Sequence, residues 1–315
     1  MMAEKISRTA IKGADTIINF IVLAIIVLLL AFAGYALWDS NQIYQTADKS
    51  RYAVYKPTIA DEGKSFKQLQ AINPEVFAWL SVYGTNVDYP VTQAGDNSKY
   101  VNTNAEGIYS LVGSIFLDYN HSKDFSGFYN LLYGHHMEKN AMFGEIGNFS
   151  DKAMFDSHQY GNLYFDGKDH GIEFFAFVHT DAYDRMVFTS NVNEGERQAL
   201  LDYLLAKATY KRDIGVTPAD RIILLSTCSS VSTNGRDILI GRINDEPFDD
   251  PFVRTETNDG KQQLYVDSKG SFFEKIPCWL LLIPAFILVI EHINYKIKKS
   301  KAKRGRVIKN DFKKK

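Results

Sequence analysis

A thiol, a pair of imidazoles and a guanidinium are the residues in this chain whose types and spacing can do chemistry. Cys228 ends the run Ile222-Ile223-Leu224-Leu225-Ser226-Thr227-Cys228, an aliphatic, β-branched stretch that stops in small polar residues. Such a run reads as a buried strand, and a cysteine at its end sits where core gives way to solvent. Arg236 opens a second apolar run, Ile238-Leu239-Ile240, so two neighbouring strands can present a thiol and a guanidinium at one rim. His135 and His136 follow a third run, Asn130-Leu131-Leu132-Tyr133. A cysteine attacks as its thiolate, which an adjacent imidazolium or guanidinium favours. The imidazole can then protonate a departing amine and deprotonate an incoming one. The guanidinium, with backbone N–H groups after Cys228, can hold a substrate carbonyl or a developing oxyanion. The plain alternatives are an inert buried cysteine, an arginine paired with Asp237 or another acid, and a Gly-His-His turn that binds metal. No spaced set of Cys, His or Glu completes a metal site, and the chemistry calls for no cofactor.

The 315 residues leave room for one or two domains. Only two cysteines occur, and Cys278 falls inside an apolar segment, so no disulfide with Cys228 is expected. A lone thiol in an exported domain is unusual, because extracellular cysteines are normally paired. It favours a reactive Cys228 and a bacterium without a strongly oxidising periplasm. The net charge of −1 hides an asymmetry: residues 296–315 carry eleven Lys or Arg against one acid, Asp311. Beside an apolar segment, such a tail marks a membrane boundary rather than a nucleic-acid site.

Two apolar segments frame the chain. Residues 17–38 are long enough to cross a bilayer, with Lys5, Arg8 and Lys12 before them and Trp38 at the interface. The length and the lack of a small-x-small cleavage site predict an uncleaved anchor with residues 1–16 in the cytoplasm. Residues 272–295 form a shorter second segment containing Pro277 and Pro284, followed by the basic cytoplasmic tail at 296–315. Both anchors together place the intervening chain outside the cell: a stalk at 39–64, a folded domain at 65–244 and an acidic connector at 245–271.

Within that domain the spacing of Phe66, Leu69, Ile72, Val76, Phe77, Trp79 and Leu80 predicts two short helices broken at Asn73-Pro74, with Ser65 capping the first. Short strands are expected near 87–91, 114–118 and 130–133. A hairpin is expected around Gly167-Lys168-Asp169, then the Cys228 and Arg236 strands. Glu194 to Tyr210 reads as one amphipathic helix with Leu200, Leu201, Leu204 and Leu205 as its apolar stripe. Many short strands with few helices predict a mainly β, closed barrel or sandwich.

Taken together, Tyr133-Gly134-His135-His136-Met137, Met142-Phe143, Leu224-Leu225-Ser226-Thr227-Cys228 and Arg236-Asp237-Ile238-Leu239 resemble the sortases of Gram-positive bacteria, class B in particular. The regions Ile72 to Leu80, Gly84-Thr85-Asn86 with Tyr89-Pro90-Val91, and the helix before Asp220-Arg221-Ile222 are similar to class B as well. The resemblance covers about residues 65–243. It implies a closed eight-stranded sortase-type barrel with N-terminal helices and one helix before the catalytic strand, flanked by two transmembrane helices. It also implies a cysteine transpeptidase that cuts a C-terminal sorting signal at Thr, holds a thioacyl intermediate and passes it to an amine. By position Cys228 is then the nucleophile, His135 the acid/base, and Arg236 the oxyanion or substrate clamp, with His136 a neighbour. Ser226 and Thr227 line the cleft, Asp88 takes a position that contacts the sorting peptide, and Thr92, Met186 and Val187 map to the pocket wall. The implied partners are proteins bearing sorting signals, the membrane, and an amine from a peptidoglycan precursor or a pilin lysine. A C-terminal anchor is more typical of pilin-polymerising class C enzymes, and Asp250-Pro251-Phe252 resembles their lid tripeptide, although it follows the barrel. A catalytically silent assembly protein would be expected to lack one of the three chemical groups. A membrane sensor would need a cytoplasmic output module, for which neither terminus has the length.

Overall fold

The computed structural model describes residues 2–58, 62–189, 192–229 and 233–253. The expected second apolar segment at 272–295, the basic tail and the connector beyond 253 lie outside the described residues.

Two compact units meet in sequence between Asn41 and Gln42. What is described of the first is helix α1 (Met2–Ala47) up to that point. It holds the one helical stretch, among the described residues, that is long and apolar enough to cross a membrane, within Gly13–Ala47. This stretch contains the expected span at 17–38. One such helix is described rather than the two expected.

The described residues of the second unit form nine strands: β1 (Val76–Val82), β2 (Asp88–Thr92), β3 (Ile115–Leu117), β4 (Tyr129–Tyr133), β5 (Tyr160–Phe165), β6 (Lys168–Asp181), β7 (Ala208–Lys211), β8 (Arg221–Cys228) and β9 (Gly235–Asn244). They are ordered β5-β1-β2-β3-β4-β8-β9-β6-β7, and an additional β5–β6 pairing closes all but β7 into an eight-stranded barrel. Closure leaves those eight strands without free edges. The β5–β6 hairpin turns at Asp166 and Gly167, whose positive φ angles of 50 and 79° suit a tight two-residue turn.

Both faces of the barrel wall are packed. On β8, Ile223 and Leu225 join one cluster together with Val91, Ile115, Leu132, Phe177 and Leu239, while Ile222 and Leu224 join a second. The second cluster also takes Leu131, Val178, Ile238 and Ile240 from neighbouring strands, and Leu200, Leu201 and Leu204 from helix α4 (Arg197–Lys207). α4 therefore packs on the outer face of the wall against β6 and β7, in the same cluster as the outward residues of the strands that carry Cys228 and Arg236.

Several expectations need correction. After a turn at Pro74 and Glu75, residues 76–80 lie in strand β1, not in a second short helix. Six of its seven positions are buried, because α2 (Lys64–Ile72) covers one face and the barrel fills the other. Burial on both faces erased the period of two and left a spacing that mimics a helix. The cap of α2 is Gly63, and Ser65 instead donates its hydroxyl to the Lys56 carbonyl at 2.9 Å. The expected helix at 194–210 is a short 3-10 turn (Glu194–Glu196) with a capping box from Asn193, then α4, and its last residues pair with β6 as β7. The stretch expected as a stalk belongs to the folded unit from Gln42 onward, with Ala47 and Tyr52 fully buried.

Candidate active site

Strand registers carry the three chemical groups to one place. β4 runs parallel to β8 with Tyr133 opposite Ser226, so His135, just past the end of β4, comes level with Cys228. The Gly134 N–H continues the ladder to the Ser226 carbonyl at 3.1 Å. β8 runs antiparallel to β9 with Cys228 directly opposite Arg236. Side chains alternate between faces along a strand. The second cluster holds Leu131, Ile222, Leu224, Ile238 and Ile240, so His135, Cys228 and Arg236 share that outer face. With strands about 4.8 Å apart, the three groups span two strand spacings. Cys228 is exposed, and His135 and Arg236 are half-buried.

Each group is fixed by a backbone carbonyl or by its strand. His135 Nε2 lies 2.8 Å from the Val101 carbonyl. A carbonyl only accepts, so Nε2 carries the proton and Nδ1 is the nitrogen left for exchange. Val101 ends the 3-10 turn Lys99–Val101, against which Gly113 is pressed. Gly113 has φ +64°, and a Cβ there would stand 2.5 Å from both the Tyr100 and Val101 carbonyl oxygens. Only glycine meets both demands. The Arg236 guanidinium donates to the Gly235 carbonyl at 3.0 Å, which leaves most of its donors uncommitted among the described residues.

Below this trio lies a continuous row on the same face. Thr92 pairs with Phe116, Phe116 with Tyr133, Tyr133 with Ser226, and Ser226 with Ile238, which in turn pairs with Val178. The rings of Phe116 and Tyr133 pack at 5.3 Å. Burial and the Asp118 carboxylate push the Tyr133 phenol well above its ordinary range, so it stays a donor, and it reaches Asp118 Oδ2 at 3.3 Å. Ser226 Oγ and Thr227 Oγ1 are buried with no hydrogen-bond partner among the described residues.

One side of this surface is a braced wall. Thr180, opposite Arg236 on β6, donates its hydroxyl to Asp184 Oδ2 at 2.7 Å. Tyr203 of α4 donates to the same oxygen at 2.9 Å, and Lys207 forms an ion pair with it. Desolvation acts to raise the Asp184 carboxyl, but the hydrogen bonds from Lys207, Thr180 and Tyr203 outweigh it and hold the value down at about 2.

The structure thus brings together Cys228, His135, Arg236, Ser226 and Thr92 on one face, with Thr227 beside them and turned to the other. Met186 is exposed on the loop that Asp184 anchors, and its N–H donates to Asp184 Oδ1 at 3.1 Å. Val187 is not open to a ligand as a wall residue, because its side chain is fully buried in the α4 cluster. Asp88 is already engaged by Lys56, Trp79 and Ser81 at 2.7–2.8 Å. Asp250-Pro251-Phe252 does not sit where a lid over Cys228 would. Phe252 stacks on His158 at 4.7 Å and adjoins Gly84 in the β1–β2 turn, and β1 lies across the ring from β8. Sequence reasoning missed the Val101 carbonyl, Gly113, Phe116 and the Asp184 brace. A backbone acceptor leaves no residue-type signal, and the others depend on long-range pairing. Among the described residues no group of three His, Cys, Asp or Glu side chains is placed to hold a metal.

No protein-family model matches the chain. Sortase B of Staphylococcus aureus is 30% identical over 182 residues, which cover 56% of this chain and 74% of the relative. Sortase B of Listeria monocytogenes is 27% identical over 179 residues, covering 56% and 73%. Among solved structures, the sortase B from the Type II pilus of Streptococcus pneumoniae is 44% identical with a TM-score of 0.51, covering 57% of this chain and 99% of that one. A Streptococcus pyogenes class B sortase involved in pilus biogenesis is 39% identical with a TM-score of 0.54, covering 58% and 100%. The barrel, the thiol at the end of β8 and these similarities lead to one assignment: the chain belongs to the sortase family of cysteine transpeptidases, with class B sortases as its relatives.

Proposed function

We propose that this chain is a membrane-anchored sortase that cleaves a C-terminal sorting signal at Thr through a thioacyl intermediate on Cys228 and transfers the protein to an amine. The level row of His135, Cys228 and Arg236 on one outer face supports this reading above all. The Cys228 sulfur attacks the Thr carbonyl carbon, and the Arg236 guanidinium holds the oxyanion that forms. As the C–N bond breaks, the imidazolium of His135 gives its proton to the departing amine. An incoming amine then attacks the thioester, His135 takes its proton, and the C–S bond breaks to release the Cys228 thiolate beside the imidazolium. The hydroxyl of Ser226, unpartnered among the described residues, and the Thr92–Phe116–Tyr133 row offer a floor for the peptide.

The apolar helix near the N-terminus serves as the anchor at 17–38. The barrel unit then stands outside the cell, and residues 272–295 and 296–315 act as second anchor and cytoplasmic tail. The acceptor is a peptidoglycan-precursor amine or a pilin lysine. The 44% and 39% identity to two sortases described with pili, against 30% to S. aureus sortase B, favours the pilin lysine. A competition settles it: full-length chain in detergent receives a cleavable sorting peptide with equal amounts of a lysine-containing pilin peptide and a wall-precursor amine, and product masses are read. A pilin enzyme yields mainly an isopeptide to the lysine side chain. Transfer only to the precursor amine overturns that choice of acceptor.

A further inference from the structure

The loop that leaves His135 and His136 is held in a costly conformation. Lys139, Asn140 and Met142 take φ angles of 58, 61 and 53°, in the left-handed region that non-glycine residues rarely occupy. Such a backbone persists only where its surroundings fix it. What fixes it here comes from far away in sequence. The Tyr89 hydroxyl accepts the N–H of Met142 at 3.1 Å and donates to the carbonyl of Ala47, the last residue of α1, at 2.8 Å. Tyr89 and Ala47 are both buried. One turn earlier in α1, Tyr44 donates its hydroxyl to Glu138 Oε2 at 2.9 Å, and the Lys139 ammonium lies 4.5 Å from the Tyr44 ring centroid. The loop returns to the histidines by two backbone contacts: the Phe143 N–H donates to the His135 carbonyl at 3.1 Å, and His136 bridges to Met142. The end of α1, Tyr89, the loop and His135 are therefore joined in one hydrogen-bonded chain. These α1 residues lie within the barrel unit, which begins at Gln42.

We infer that the end of α1 is a positioning element for the reaction: Tyr44 and Ala47, acting through Glu138 and Tyr89, hold the 137–142 loop in the conformation that keeps His135 level with Cys228. This rests on the reading of His135 as acid/base. Tyr44, Tyr89 and Glu138 are positioning residues, since none of them need touch the substrate. A misplacement of about 1 Å in a reacting group is enough to cost a hundredfold in rate, so small shifts in this loop should be visible in turnover.

The test uses the full-length chain in detergent micelles, in a Cys278→Ala background, with Tyr44→Phe, Glu138→Gln and Tyr89→Phe beside His135→Ala and Cys228→Ala. Turnover and KM on a sorting peptide are measured together with the pH profile of Cys228 alkylation by iodoacetamide, which reports the imidazole beside the thiol. Tyr89→Phe is expected to lower turnover about tenfold, to leave KM within twofold, and to move the alkylation profile toward that of His135→Ala. Tyr44→Phe and Glu138→Gln should move both readouts the same way by less. Their hydrogen bond is exposed, so these two variants decide the matter if Tyr89→Phe does not fold. Wild-type turnover and alkylation profile in every folded variant, with His135→Ala inactive, would overturn the inference alone. Full turnover in His135→Ala would instead remove the acid/base reading beneath it.

Discussion

Cys228 stands opposite Arg236 across one antiparallel pair and level with His135 across one parallel pair, and the proposed mechanism gives each side chain a separate task. Cys228→Ala should abolish both cleavage and the thioacyl adduct. Arg236→Ala should lower turnover by 10²- to 10³-fold, about 3–4 kcal/mol, as loss of an oxyanion donor typically does. Arg236→Lys should recover little, because a compact ammonium does not reproduce a planar fork of donors. Steady-state rates on a fluorogenic sorting peptide check all three, and an Arg236→Ala enzyme within threefold of wild type would remove the guanidinium from the transition state. Gly113→Ala probes the support of the histidine. The added methyl would meet the Val101 carbonyl, which accepts from His135 Nε2, at 2.5 Å. The left-handed φ alone costs about 1–2 kcal/mol for a residue with a Cβ. A lower melting temperature and a fall in turnover of more than tenfold are expected, with KM little changed. Turnover that stays at wild-type level while the melting temperature drops would show that Val101 does not position the imidazole. Thiol, imidazoles and guanidinium stand out in sequence by type and by the apolar runs beside them, whereas the choice of His135 over His136 rests on the family resemblance. The Val101 carbonyl was not, because any residue there offers the same acceptor.

Helix α4 and the loop before it act as an element tied down at one carboxylate. Asp184 takes hydrogen bonds from Thr180 and Tyr203 and pairs with Lys207, and its carboxyl titrates at about 2. A free aspartate titrates near 4, at about 3.9. Because the folded value lies below the unfolded one, the linked stability is fully present above about pH 4 and is lost as pH falls toward 2. Asp184→Asn should therefore lower the melting temperature at pH 7 and flatten its decline between pH 4 and 2, read by thermal unfolding across that range. An unchanged acid limb would show that Asp184 does not carry the effect. The same variant should raise KM for the peptide, because Thr180 beside Arg236 and the loop bearing Met186 lose their anchor. At this scale the sequence was a partial guide. Strands near 115–117, 129–133 and 221–228 follow from their apolar runs, whereas β1 read as a helix because both of its faces are covered. β7 went unread because its four residues alternate too briefly to signal a strand and are recruited only by pairing with β6.

The whole chain couples a closed barrel to an apolar helix at its N-terminal end. Many short strands with few helices pointed to a barrel or sandwich, but the order of strands, with β4 parallel to β8 and the N-terminal β1 set between β2 and β5, depends on pairings that no local pattern encodes. The packing of Ala47 and Tyr52 onto the barrel was hidden for a similar reason: their neighbours are polar, so the stretch resembled a spacer. If the anchor at 17–38 holds the barrel outside the cell, a membrane-impermeant maleimide should label Cys228 on intact Gram-positive cells carrying the Cys278→Ala chain. Labelling only after lysis would place the barrel inside. The most direct test of the account is capture of the intermediate. Full-length wild-type chain and Cys228→Ala are incubated with Asn-Pro-x-Thr and Leu-Pro-x-Thr peptides without an acceptor amine, acid-quenched and weighed by mass spectrometry. The account predicts a mass increase on Cys228 equal to the peptide up to its Thr, absent in Cys228→Ala and lost on adding an amine. Peptide cleavage that proceeds equally well in Cys228→Ala would contradict it.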